Sequence, residues 1–203
     1  MLHPRVRLAL MTVSTIALLA IAGFVIFSDP HSGAATPAVT DGFAGSLRPV
    51  APAADFALTD QDGRRVNVAE LRGKPAVVTF MYTTCENDCP TMTQQLRGAL
   101  DDLGHDVPVL AVSVDPKNDT PARARAFIAR QQMTGRMTFL LGDEAQLQRV
   151  WRLFGIQPQA DGREHSASVV LLDDRGVARV SFPVDQLTPE GVLHDLRVLE
   201  RQS

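Results

Sequence analysis

Two cysteines stand in the stretch TTCENDCPTM, Cys85 and Cys89, and the chain has no others. Three residues separate them, followed at once by a proline. That is one residue more than a Cys-x-x-Cys redox motif, and a structural zinc site needs about four ligands. The chemistry left open is a thiol pair that cycles with a disulfide, or a soft two-sulfur donor set for Cu(I) or zinc. A purely structural disulfide would close a very short loop and restrict the unfolded chain little. A chain of 203 residues that is 45% hydrophobic can build its core without that staple.

The elements around the pair predict where it sits. Residues 75–82, PAVVTFMY, form a continuous apolar and β-branched run, the pattern of a strand buried on both faces. Pro90 suits the opening of a helix, where its missing N–H would have no partner. Met92, Leu96, Ala99, Leu100 and Leu103 then recur at helical spacing, and Gly104 stops the helix. Residues 107–114, VPVLAVSV, give a second buried strand that ends in DPKND. Thr120-Pro121 caps a helix to about Met133, MTFLLG is a third strand, and Asp143 caps a helix to about Phe154. SASVVLLD and VARVSF, joined by DDRG, make a closing hairpin, and Thr188-Pro189-Glu190 opens a last helix ending near Arg201. DFALT and RRVNV around DQDG make an opening hairpin. The expected fold class is therefore α/β, a thioredoxin-like mixed sheet flanked by helices.

Ligand sites in such sheets lie beyond the carboxyl ends of the parallel strands, so the cysteine loop and the DPKND loop share one edge. Cys89 is expected at the N-cap of its helix, where backbone N–H groups and the dipole favour thiolate. Glu86 and Asp88 oppose that shift. Of five histidines, His3 and His31 precede the folded part, His105 follows a helix stop at the far end of the sheet, and His194 lies within the last helix. His165, in GREHSASVV, immediately precedes the first strand of the closing hairpin. An antiparallel pairing of that strand with the cysteine strand brings its start to the cysteine edge. That makes His165 a candidate third donor, beside its plain reading as a surface histidine.

Residues 8–27 carry no charge and follow Arg5 and Arg7. About 20 apolar residues match the bilayer core, whereas the apolar core of a signal peptide runs to roughly 7–15. Ser32-Gly33-Ala34 also fits a small-x-small cleavage pattern, but the length favours an uncleaved transmembrane helix with residues 1–7 cytoplasmic. The body then lies on the extracytoplasmic side of the cytoplasmic membrane, where thiols tend to be oxidised. Residues 28–54, rich in Gly, Ala, Pro and Ser, are expected to be a flexible tether, with the folded domain at residues 55–203. A net charge of −3 with no basic stripe gives no support for nucleic acid.

Three segments in order, FALTDQDGRRVNVAELRGKPAVVTFMYTTCENDCPTM, AVSVDPKNDTPARARAFI and EHSASVVLLDDRG, resemble the signature regions of the Sco/SenC family. The likeness runs over roughly residues 55–201. It implies a membrane-tethered, thioredoxin-like protein that binds copper, as Cu(I) or Cu(II), through Cys85, Cys89 and His165. It also implies a role in assembling the CuA centre of cytochrome c oxidase subunit II, by handing over copper or by reducing the target's cysteines. Another copper enzyme as target, and a periplasmic copper carrier or thiol reductant as a further partner, fit the same chemistry. Two departures stand out: Glu86-Asn87 where the family often has Pro-Asp, and Glu164 where it often has Asp. Asp115 resembles the acid of the family's DP loop, as a partner-facing group or as a cap of its own loop.

The alternative reading is a membrane-anchored thiol–disulfide oxidoreductase in which Cys85 and Cys89 cycle with a disulfide and the histidine tunes them. A peroxidase of the same broad fold fits poorly, because Tyr82 and Glu86 stand where that pattern places Thr, three residues before its cysteine.

Overall fold

The computed structural model describes residues 42–49, 51–157 and 168–203. An eight-stranded sheet runs in the order β1-β8-β7-β4-β5-β6-β2-β3. Its strands are β1 (Ser46–Leu47), β2 (Ala57–Asp60), β3 (Arg65–Asn67), β4 (Ala76–Met81), β5 (Val109–Ser113), β6 (Met137–Leu141), β7 (Ser168–Leu172) and β8 (Ala178–Pro183). The helices are α1 (Asp88–Leu103), α2 (Pro121–Arg130), α3 (Glu144–Phe154) and α4 (Pro189–Gln202). β4, β5 and β6 are parallel, and β7 runs antiparallel to β4. The mixed sheet flanked by helices is the one the alternating patterns require.

Every residue of β4 and β5 is buried, which explains their unbroken apolar sequences. Strand alternation sends Val77 and Met81 to one face and Val78 and Phe80 to the other. The first face packs on Met92, Leu96 and Leu100 of α1, Phe127 of α2 and Leu196 of α4. The second packs on Leu147, Val150, Trp151 and Phe154 of α3 and on Leu58 of the opening hairpin. α3 starts with a capping box between Asp143 and Gln146, two reciprocal bonds that satisfy orphan N–H groups. The Trp151 indole N–H donates to the Ser113 carbonyl at 2.9 Å, tying α3 to the end of β5.

The structure corrects the sequence reading in three places. The fold does not begin at Asp55. Phe43 is 2% exposed, and Ser46–Leu47 pairs with β8 as an edge strand. The fully buried Asp195 of α4 fixes this segment, accepting from the N–H groups of Ala44 at 2.6 Å and Gly45 at 2.9 Å. A Cβ at Gly45 would meet Val180 Cγ1 at 2.5 Å, so only glycine passes there. Secondly, α1 starts at Asp88 with Asn87 as its N-cap, so Cys89 and Pro90 lie within the first turn. Thirdly, α2 ends at Arg130, short of Met133. The stretch expected to cross a membrane, residues 8–27, lies outside the described residues; among the described ones no helix is long and apolar enough to do so.

A chain truncated to begin at Ala53 loses Phe43, β1 and both N–H partners of Asp195, whereas one beginning at Gly42 keeps them. Denaturant unfolding is expected to show the shorter chain less stable by about 3 kcal/mol or more; equal midpoints would remove β1 from the fold's essential parts.

Candidate metal and thiol site

Strands β4 and β5 end side by side, and the loops that follow them meet at one edge. Val114 N–H donates to Met81 O at 3.1 Å, which carries the pairing one step past the strand ends. The cysteine loop then turns back: Cys85 N–H donates to Tyr82 O at 3.3 Å. That turn brings Cys85 Sγ to the start of α1, where it accepts from the Cys89 N–H at 3.2 Å. First-turn N–H groups of a helix have no partner within the helix, and the Asn87 side chain makes no capping bond. The Cys85 sulfur therefore does the work of a cap.

The two sulfurs occupy different surroundings. Cys89 is fully buried, and Cys85 is half-buried and packed against the same core. Neither is in a disulfide. The Cys85 thiol is lowered from 9.0 to about 6, chiefly because the Cys89 thiol donates to it. Burial works against this, and the N–H groups of Cys89 and Asn87 and the Tyr82 side chain help. Cys89 is pushed up, first by that same bond to Cys85 and then by burial. One sulfur is thus poised as thiolate while its neighbour holds the proton.

A buried carboxylate holds the loop in place. Asp119 Oδ1 accepts from the Thr83 N–H at 2.7 Å and the Thr83 hydroxyl at 2.6 Å, while Oδ2 accepts from the Ser113 hydroxyl at 2.5 Å. Burial raises the Asp119 carboxyl above its ordinary range, and the three donors oppose that. Sequence reasoning singled out Asp115 in this loop and passed over Asp119. Asp115 in fact caps its own turn: its carboxylate accepts from Asn118 Nδ2 at 2.8 Å and its carbonyl from the Asp119 N–H at 2.9 Å. The available signal was the place of Asp119 directly before the Thr120 N-cap of α2.

His165 lies outside the described residues. β7, which follows it, begins at Ser168, whose carbonyl accepts from Thr79 Oγ1 at 3.2 Å. β7 therefore starts near the carboxyl end of β4, at the cysteine edge. The described histidines are engaged elsewhere. His105 pairs with Glu200 at 2.7 Å, and His194 Nδ1 lies 2.9 Å from Asp195 Oδ1. Among the described residues no group of three or more His, Cys, Asp or Glu is arranged to hold a metal.

Comparison with known proteins gives this edge a context. A family model for SCO1/SenC matches residues 46–200. The chain is 27% identical over 155 residues to the SCO2-like protein of Rickettsia felis, covering 70% of this chain and 74% of that one. It is similar to the solved structure of Bradyrhizobium japonicum ScoI with copper bound, at 31% identity and a TM-score of 0.58, covering 73% of this chain and 99% of that one. Arabidopsis thaliana ScoI with copper bound is similar at 26% identity and a TM-score of 0.61, covering 75% of this chain and all (100%) of that one.

Thiolate absorbance of the reduced protein is expected to show one sulfur ionising near pH 6, absent in Cys85→Ser, and the second only at strongly alkaline pH. The folded value lies below the unfolded one of about 8.5. Its stabilising effect is thus complete above about 8.5 and lost as pH falls through about 6. The unfolding midpoint of wild type relative to Cys85→Ser should rise across that window, and a flat difference would contradict the assignment. Asp119→Ala strands the Thr83 and Ser113 donors and is expected to cost about 3 kcal/mol in denaturant unfolding; a cost near zero would deny it the loop-holding role.

Proposed function

The chain belongs to the SCO1/SenC family, and from that premise we propose that Cys85 and Cys89 are a copper site, with His165 as the third donor. One observation carries this reading: two sulfurs meet at a helix start, the outer one accepting the Cys89 N–H with its thiol lowered to about 6, the inner one sunk in the core. Soft thiolate donors suit Cu(I), and the copper-bound ScoI proteins from Bradyrhizobium japonicum and Arabidopsis thaliana are similar to this chain. Copper is cargo in this scheme. Cys85, the more accessible of the two, is the sulfur that a target's thiolates can replace, while Cys89 retains its hold until exchange is complete. His165, on a separate segment, adds a donor that can leave without disturbing the sulfurs. The target is the CuA site of cytochrome c oxidase subunit II, and the outcome is transfer of copper or preparation of the target's cysteines.

The 20-residue uncharged stretch at residues 8–27, preceded by Arg5 and Arg7, supports a single-pass anchor in the cytoplasmic membrane with the folded domain on the extracytoplasmic side. The division of labour between the sulfurs also favours a second reading, a thiol–disulfide oxidoreductase. Cys85 would attack a partner disulfide and Cys89 would resolve the mixed disulfide.

Reduced, anaerobic full-length protein titrated with Cu(I) against a chelator is expected to bind one equivalent. Cys85→Ser or Cys89→Ser should weaken binding beyond the ~10–100-fold that outer partners of a metal ligand are worth, and His165→Ala should also weaken it. A His165→Ala protein that binds as wild type removes the histidine from the site. Absence of copper binding together with a strongly reducing thiol couple selects the second reading.

A further inference from the structure

Beside Cys85 the surface opens into a cleft of about 430 Å3. Residues 83–86 of the cysteine loop line it, as do Arg130 at the end of α2 and the following Gln131. Pro90 and the core residue Phe127 add apolar lining. The volume is within the ~300–1,000 Å3 of ligand sites.

The polar groups in the cleft have a distinct state of pairing. Arg136 nearby in sequence is bound by Asp101 and Asp106, and Arg125 by Asp62. Arg130 is exposed and its guanidinium makes no ion pair or hydrogen bond among the described residues. Gln131 is steadied by α1, because its side-chain oxygen accepts from Gln94 Nε2 at 2.8 Å. That bond leaves the Gln131 amide N–H groups free to donate. An arginine fork and an amide are a matched pair of donors for a carboxylate. Glu86, on the loop side, repels a second acid there and so gives an incoming chain a direction.

We propose that this cleft seats a short cysteine-bearing stretch of the partner protein, with its sulfur against Cys85 and an acidic side chain beside that sulfur held by Arg130 and Gln131. The proposal rests on the reading of Cys85 as the exchanging sulfur, which its position carries: Cys85 lines the cleft, whereas Cys89 is fully buried. A partner of this kind matches the cleft in charge at Arg130, and the partly exposed Pro90 offers it apolar contact. Against a disulfide the exchange balances without another reductant. Cys85 thiolate attacks one sulfur, a new S–S bond forms as the old one breaks, and the leaving half departs as thiolate. Cys89 gives its proton to the thiolate released in the first step and then displaces the peptide by bonding to Cys85, the peptide sulfur leaving as thiolate. Two electrons pass from the cysteine pair to the peptide disulfide.

The test uses reduced, copper-free full-length protein and short peptides presented as mixed disulfides with mercaptoethanol. Their cysteine is flanked by glutamate, glutamine or lysine. At low salt the glutamate peptide is expected to react about three- to fivefold faster than the lysine peptide, the range of one exposed ion pair. High salt should erase the difference, Arg130→Gln should bring the ratio near one, and Arg130→Glu should invert it. A glutamate-to-lysine ratio unchanged in Arg130→Gln overturns the proposal. An equal preference for dithiodipropionate, a carboxylate disulfide without a peptide, overturns the peptide assignment in favour of a small thiol acid. Failure of even the glutamine peptide to react at Cys85 instead sinks the reading of Cys85 as the exchanging sulfur, and the cleft proposal with it.

Discussion

The geometry at the cysteine edge depends on one buried carboxylate. Asp119 joins three pieces of chain that have no covalent reason to stay together: the cysteine loop through Thr83, the end of β5 through Ser113, and the start of α2 through its neighbour Thr120. Burying a carboxylate is costly unless hydrogen bonds replace its water. Here three donors do so at once, so the loop, the strand end and the helix must all be in place for any of them to be satisfied. Thr83 is two residues from Cys85. Fixing Thr83 fixes the turn at Tyr82 and therefore the direction from which Cys85 approaches α1.

The Cys-x-x-x-Cys spacing makes sense at that point. A residue and its neighbour four positions on are linked in a helix by an N–H to carbonyl bond. Cys85 stands before the first helical residue, so the bond from the Cys89 N–H is made to its sulfur instead. Capping and chemistry are then coupled. The N–H and the Cys89 thiol both favour negative charge on Cys85, and whatever takes up that charge, a soft metal or a new sulfur bond, competes with the cap. The start of α1 consequently responds to the state of the sulfur, while Met92, Leu96 and Leu100 hold the rest of the helix on the sheet.

The central parts of the fold were legible because their sequence patterns are set locally. β4 and β5 are buried on both faces and read as unbroken apolar runs; α3 carries its capping box in Asp143 and Gln146. The edge strand was not legible. Ser46–Leu47 is too short for alternation, its surroundings have the composition of a linker, and the partner that fixes it, Asp195, lies about 150 residues on. The loop-cap role open to Asp115 is the one it takes, but the role of Asp119 was not legible, for a related reason. Both acids lie in one loop, and only the tertiary contacts with Thr83 and Ser113 decide which is buried. The cysteines were the opposite case, since the apolar strand before them and the helix pattern after them fix their edge without knowledge of distant contacts.

Sheet register adds a last constraint. Ser46 pairs with Ser181, Ser181 with Val170 and Val170 with Val78, and Leu47 leads in the same way to Val77. β1 therefore runs opposite to β4, and the residues before it rise towards the level of Met81, where the cysteine loop begins. Phe43 and Met81 share one core cluster. The point where the chain joins the sheet, the start of β7 and the two sulfurs thus all lie at one edge, about three strand spacings, or roughly 14 Å, across from first to last. Asp195 holds the first of these and Asp119 the last, each by accepting backbone N–H bonds on carboxylate oxygens removed from water. The same device at both ends ties loop segments to the sheet, so the position of the cysteine edge follows from two buried carboxylates and the strands they anchor.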